Sequence, residues 1–375
     1  MLAAGTAAQT SFSAVLIGLP VLAPTLRDAH ELSLVQVGVV LDSVWIGTLF
    51  TLLPWGLLAD RLGERLVLGV GLGACAAALV AAGYAGAFGS LVVLLGLAGA
   101  AGASVNAASG RAVMQWFPSA ERGFALGVRQ TAIPVGGLVA ALVLPTLGLR
   151  AAFVFLAALC VAGGLFGVVA IRERKRESGA DVLEPRGLGA TLRDRRLVLL
   201  CAGSSLYVVA QLAVTGFLVL FLHDERGLSP GAAAAVLGAV QVVAAVLRIG
   251  GGRWSDVLGS RLRPLRLVGL ASSVTLAVAT LALEAPLALL LPAFVLAGGF
   301  GMAWNGLSFT AAAEIAGRSR SGAALGMQQT ALAAAGAVVP PAFAAVVAAS
   351  SWRVGFAVAA AFPLAGVQLL RPLRS

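Results

Sequence analysis

The sequence predicts an all-α membrane protein of twelve transmembrane helices in two pseudo-symmetric six-helix bundles. Three observations predict it: an apolar excess along the whole chain, a lopsided distribution of arginines, and a segment that recurs in the second half. Of 375 residues, 59% are hydrophobic and 11% charged, with a mean hydropathy of +0.97. Soluble domains carry about a quarter charged residues, so a water-soluble globule is excluded. A helical span with its connector takes about 30 residues, which leaves room for about twelve. The apolar runs are continuous rather than alternating, which excludes a β-barrel. The abundance of Leu, Val and Ala excludes collagen-like and disordered chains.

Taken in order, apolar runs bounded by charge, Gly or Pro place span 1 at about 3–26, span 2 at 33–58 and span 3 at 66–87. Span 4 covers about 90–116, span 5 about 122–146 and span 6 about 150–171. Spans 7 to 12 follow at about 196–222, 230–254, 264–284, 286–312, 321–349 and 352–370. The polar stretch between the sixes divides the chain into an N-terminal bundle (1–171), a cytoplasmic linker (172–195) and a C-terminal bundle (196–375). The start of the chain lacks a basic n-region, so span 1 reads as a retained span rather than a cleaved signal.

Charge sets the orientation. With both termini cytoplasmic, the inner segments hold 20 Arg or Lys and the outer connectors four, Arg27, Arg150, Arg226 and Arg353. The net charge of +10 is therefore the signature of cytoplasmic loops and calls for no nucleic acid. Cys75, Cys160 and Cys201 are scattered in apolar runs without CxxC spacing, so neither a disulfide framework nor a metal site is expected. His30 and His223 lie in separate polar connectors.

The halves repeat each other. Residues 125–132, ALGVRQTA, recur as ALGMQQTA at 324–331, and Asn106 matches Asn305 at the same offset. Between spans 2 and 3 stands a loop with Gly56, Asp60, Arg61, Gly63 and Arg65. Between spans 8 and 9 stands a counterpart with Gly252, Asp256, Gly259 and Arg261. The second Gly of each suits a tight inter-helix turn, and the acid at a helix end can pair with the arginines. Both loops resemble the G-x-L-a-D-r-x-G-r-R motif of the major facilitator superfamily. The 116–123 connector and the Arg150–Phe153 and Arg353–Phe356 segments resemble that family too. The resemblance covers essentially the whole chain. It implies two bundles that rock about a midplane site, with these loops as a gating latch that holds the bundles together on one side.

Polar groups at bilayer depth point to the substrate. Arg129 in span 5 and Arg248 in span 8 lie about 10 and 12 Å into the membrane at 1.5 Å per residue, in helices that adjoin across the bundles by resemblance. Buried guanidinium forks suit a carboxylate or related oxyanion; the alternative is a structural role on carbonyls or acids. Asp42, the acid well inside a span, is the proton-coupling candidate. Asn106, Asn305, Gln130, Gln241, Gln328, Tyr207 and Trp304 are candidate substrate-binding liners, with Trp45 and Gln329 beside them.

These readings predict a secondary transporter of a small solute, favouring an organic anion, working by alternating access with protons. The expected setting is an inner (plasma) membrane, as a monomer in lipid, with no cofactor, no metal and no enzymatic activity. The rivals are a proton-coupled drug or metabolite exporter, favoured if the arginines prove structural, and a transporter-like sensor without flux. Ile133-Pro134-Val135-Gly136-Gly137 resembles the G-P-x-x-G-G motif of drug–proton antiporters but lacks its leading Gly.

Overall fold

A computed structural model describes residues 2–106, 130–170, 185–317 and 320–373; at 2–4, 60 and 185–188 it describes the backbone alone. Arg129 lies outside the described residues, as does the Asp60 side chain. The helices are α1 (Leu2–His30), α2 (Leu34–Leu62), α3 (Glu64–Ala82), α4 (Phe88–Gly102), α5 (Ala132–Val143) and α6 (Leu149–Ala170). Then follow α7 (Pro185–Arg193), α8 (Arg195–Asp224), α9 (Pro230–Val257), α10 (Leu262–Leu281) and α11 (Leu287–Ala316). The chain closes with α12 (Ser321–Gly336), α13 (Val339–Ala349) and α14 (Trp352–Leu370). Among the described residues, 11 helical stretches are long and apolar enough to cross a membrane, and Ala132–Thr146 is a shorter apolar one at the place of span 5.

Local chemistry sets the helix ends. Ser33 and Gln36 form a reciprocal capping box at the start of α2. Ser229 caps α9 ahead of Pro230 at its first position. The loops after α2 and α9 turn at Gly63 (φ +87°) and Gly259 (φ +60°), a region that side chains avoid.

Two elements carry detail beyond the expected spans. Span 11 stands as one apolar stretch over Ser321–Ala349, with its helix broken at Ala337–Val338. Pro340 and Pro341 have no N–H to give to the carbonyls of Gly336 and Ala337, so two helix bonds are lost at this turn. Within the 172–195 linker, residues Pro185–Arg193 form the helix α7.

In the N-terminal bundle α1 packs on α5 and α6, α2 on α4, and α3 on α4 and α6. The C-terminal bundle repeats this, with α8 on α12 and α14, α9 on α11, and α10 on α11 and α14. Phe50, Leu53, Val169, Val246 and Leu281 stand exposed on the flanks, as a bilayer rather than water requires.

Three seams join the bundles: α5 with α9, α2 with α12 and α13, and α1 with α8. At the C-terminal ends of α1 and α8, Arg27 donates a hydrogen bond to Asp224 across the bundles. This pair is partly exposed, so its worth is at most about 1 kcal/mol. Arg27→Glu should therefore separate these two ends several-fold more often, the lost pair and the new repulsion each contributing up to about 1 kcal/mol. Combining it with Asp224→Arg should restore the wild-type ratio, as spin-label distances between α1 and α8 would record. A double reversal that behaves like the single change would refute the pairing.

Candidate functional site

Between the bundles lies a cavity of about 1120 Å³, counting the part that opens to solvent. Both halves contribute hydrogen-bonding side chains to it. Gln9 and Ser13 come from one stripe of α1, Thr48 from α2, and Asn106 and Gln130 from the flanks of the undescribed segment. Gln211 and Thr215 come from one stripe of α8, Asn305 from α11 and Gln329 from α12. Residues four apart on a helix share a face, which aims Gln9 with Ser13 and Gln211 with Thr215 at the same space. The indoles of Trp45 and Trp304, with Ile17, Leu212, Met302 and Phe309, supply apolar wall. No charged side chain lines the cavity among the described residues.

Some of the polar groups are already engaged. Asn305 Nδ2 donates to Gln211 Oε1 at 3.2 Å and to the Met302 carbonyl at 3.3 Å. Thr48 Oγ1 donates to the Gly99 carbonyl at 3.2 Å. Ser13 Oγ and Trp304 Nε1 are buried without a partner among the described residues. A buried donor left unpaired costs about 1–3 kcal/mol, and both residues stand at the cavity wall.

Of the expected binding residues, Asn106, Gln130, Trp304 and Asn305 line the cavity. Four others do not. Tyr207 is buried inside the C-terminal bundle, against Gly269 of α10 and Gly366 of α14, and its ring meets Trp304 edge-on at 5.9 Å. Gln328 is also internal: its Nε2 donates to Ser308 Oγ at 2.6 Å and its Oε1 accepts from Cys201 Sγ at 3.2 Å. One residue further round the helix, Gln329 reaches the cavity. Gln241 sits in the α5–α9 seam against Gly137, with neither amide atom bonded among the described residues.

Arg248 is the fourth and the most consequential. Its buried guanidinium donates from Nε to the Met302 carbonyl and from Nη1 to the Gln130 carbonyl, both at 2.8 Å. The second acceptor exists because of Pro134. In a continuous helix Gln130 O would accept the N–H of residue 134, and proline has none. Nη2 remains without a partner among the described residues. Arg248 thus stands behind two cavity-lining residues and does not line the cavity itself.

Asp42 is buried in α2, and its Oδ1 has no partner among the described residues. Gly38, one turn earlier on the same stripe, meets Pro340 and Ala344 of α13. That turn of α2 lies in the seam beside the broken helix, and Asp42 follows it by one turn.

The bonds described for the gating loops stay within their own bundles. Arg65 Nε donates to the Val168 carbonyl of α6 at 2.7 Å. Arg261 donates from Nη1 to Asp256 and to Ser255 Oγ, and from Nε to Glu314 of α11 at 2.9 Å. Burial works against the Arg261 charge, but the hydrogen bonds and charges of Asp256 and Glu314 outweigh it and raise its pKa above the ordinary value. The cysteines are less scattered than the sequence suggests, since Cys75 of α3 and Cys160 of α6 lie 3.9 Å apart at sulfur.

Sequence reasoning missed Gln9, Ser13, Gln211 and Thr215, although a signal was present. Gln9 and Gln211, like Ser13 and Thr215, stand the same distance apart in the chain. They are a polar repeat in spans 1 and 7, too short to notice without the surrounding match.

Comparison with known proteins adds to this geometry. The family profile described as Major Facilitator Superfamily matches residues 2–340. An uncharacterised MFS-type transporter of Mycobacterium tuberculosis is 34% identical over 364 residues, covering 95% of this chain and 81% of the relative. A hexuronate transporter of Bacillus subtilis is 28% identical over 121 residues, covering 32% of this chain and 29% of that one. Among solved structures, a bacterial homologue of the human lysosomal transporter Spinster, inward-facing and occupied, is similar at TM-score 0.81 and 16% identity, covering 99% and 95% of the two chains.

Proposed function

Because this chain belongs to the major facilitator superfamily, we propose that it carries a small, uncharged, hydrogen-bonding organic solute across the membrane by alternating access. The observation that supports this reading is the cavity between the bundles, lined from both halves by amides, hydroxyls and two indoles, with no charged liner among the described residues. A site that must open to each side in turn is best built from both moving parts. Amide side chains both donate and accept, which suits hydroxyl, amide or ring-nitrogen groups on a solute. Indole faces suit its apolar or flat part. Such a solute fits the metabolite or drug carrier reading better than the organic-anion one, because the donors of Arg248 that are engaged go to backbone carbonyls.

A second reading keeps the anion. Nη2 of Arg248 is an unspent donor, and the Bacillus relative is named for a hexuronate, a sugar acid. Proton drive is part of the proposal, supported by the buried carboxyl of Asp42. An inner-membrane setting with cytoplasmic termini is supported by the arginine asymmetry of the connectors.

The deciding measurement starts from a thermal-stabilisation screen of the purified protein. Each hit is then carried into flux assays in proteoliposomes, beside a carboxylate analogue of equal size. Uptake of the neutral compound with exclusion of its carboxylate supports the first reading, and the reverse order supports the second. For a transported neutral solute, Asn305→Ala should raise KM about tenfold by removing an amide that hydrogen-bonds in the cavity. Tyr207→Phe, within the bundle, should leave KM where it is. Equal effects of the two changes would refute the assignment of the cavity as the binding site.

A further inference from the structure

We propose that Arg248 is a clasp between the two bundles, closed in the arrangement seen here and released when they rock, with the carbonyl that Pro134 leaves free as its catch. The proposal takes the rocking of two bundles from the reading above and nothing from the identity of the solute. Three features of the α5–α9 seam carry it.

The first is the split of donors. Nε is bonded to Met302 O on α11, inside the same bundle as α9, which fixes the guanidinium to the C-terminal half. Nη1 is bonded to Gln130 O in the N-terminal half. A planar, rigid fork cannot follow two carbonyls that move apart. Hydrogen bonds fade steeply as distance and angle leave their optimum, so rotation of one bundle against the other at this seam breaks the Nη1 bond first.

The second is the origin of the catch. A helix carbonyl normally has its own N–H four residues on, and would hold an arginine more weakly as a shared acceptor. At Gln130 that N–H is absent because residue 134 is proline. Breaking the clasp therefore leaves a buried carbonyl short of its partner as well as a charged donor, and both losses favour the closed form.

The third is the unspent capacity beside it. Nη2 of Arg248 and the whole amide of Gln241, two turns earlier on α9, are buried without partners among the described residues. These groups can find acceptors and donors once the seam shifts, so the opened form is not left bare. A seam with one satisfied and one unsatisfied polar group is suited to two arrangements rather than one.

The test reads conformation, not transport. Spin labels on Leu62→Cys and Val257→Cys, both exposed, report the separation of the α2 and α9 ends on the side of the membrane nearer Arg248; the native cysteines are buried. Arg248→Lys keeps the charge but cannot bridge both carbonyls, and should raise the ratio of separated to joined ends about tenfold, the size expected for one hydrogen bond to a charged group. Pro134→Ala returns an N–H to the Gln130 carbonyl and should raise the same ratio about threefold, a part of that same bond. The two changes act on one bond, so the double variant should go no further than Arg248→Lys alone. Unchanged distances in Pro134→Ala overturn the proposal even if Arg248→Lys fails to fold. Full additivity in the double variant overturns it too, because Pro134 would then act without Arg248. A wild-type distance distribution in all three variants, with transport intact, leaves the carrier reading standing and removes the clasp.

Discussion

Asp42→Asn should abolish uphill, proton-driven accumulation while leaving exchange of solute across the membrane. The carboxyl is buried in α2, and its Oδ1 has no partner among the described residues. A carboxyl in such a place is stable only if it is neutral or paired, and no ion pair to it is described. It lies one turn from the contact of Gly38 with α13, so a rocking of the bundles would change its surroundings. Those are the requirements of a group that binds a proton in one arrangement and gives it up in the other. Asparagine keeps the shape and removes the exchangeable proton, so concentrative uptake driven by a pH gradient should fall to equilibration. Counterflow of labelled solute, which needs rocking and no net proton movement, should continue. Accumulation at the wild-type level in Asp42→Asn would move the coupling elsewhere, and loss of counterflow as well would make Asp42 a structural residue.

Gly99→Ala should cost about 3 kcal/mol or more of stability, combining overpacking with loss of hydrogen bonds. The α2 and α4 backbones touch here: a Cβ on Gly99 would lie 2.1 Å from the Val44 carbonyl oxygen, and one on Gly47 1.9 Å from that of Gly96. Both obstacles are main chain, which no rotamer change can clear. The close approach also lets Thr51 and Trp55 donate to the Ala100 carbonyl, at 2.8 and 2.7 Å. Within lipid, association rests on such packing and bonding rather than on a hydrophobic drive between helices. Pushing the helices apart forfeits both together. Gly73→Ala on α3 is the control, since a Cβ there meets nothing within 4 Å, and it should be neutral or slightly stabilising. Thermal unfolding of the two purified variants decides the matter: equal melting would show that the α2–α4 contact does not depend on glycine.

The amino-acid sequence by itself determined the spans, their number and their duplication. A bilayer imposes length and apolarity on every span, and both are readable one residue at a time. The turns at Gly63 and Gly259 were legible for the same local reason, as were Asn106 and Asn305 from their matched offset in the repeat. Tertiary structure alone decided which face of each helix does what. A spanning helix is apolar towards lipid and towards its bundle alike, so the periodicity that separates inside from outside in a soluble protein is nearly absent here. Tyr207 and Gln211 share α8, yet one packs into the bundle and the other lines the cavity. Gln328 and Gln329 are neighbours that part in the same way. Arg248 is the sharpest case. The sequence places a guanidinium at bilayer depth, where a charge must find a partner, but its partners are backbone carbonyls, which every residue has and no side chain advertises. One of them is free because Pro134 follows Gln130 by four residues. That fact is written in the chain, and it acquires meaning only when packing brings α9 alongside α5.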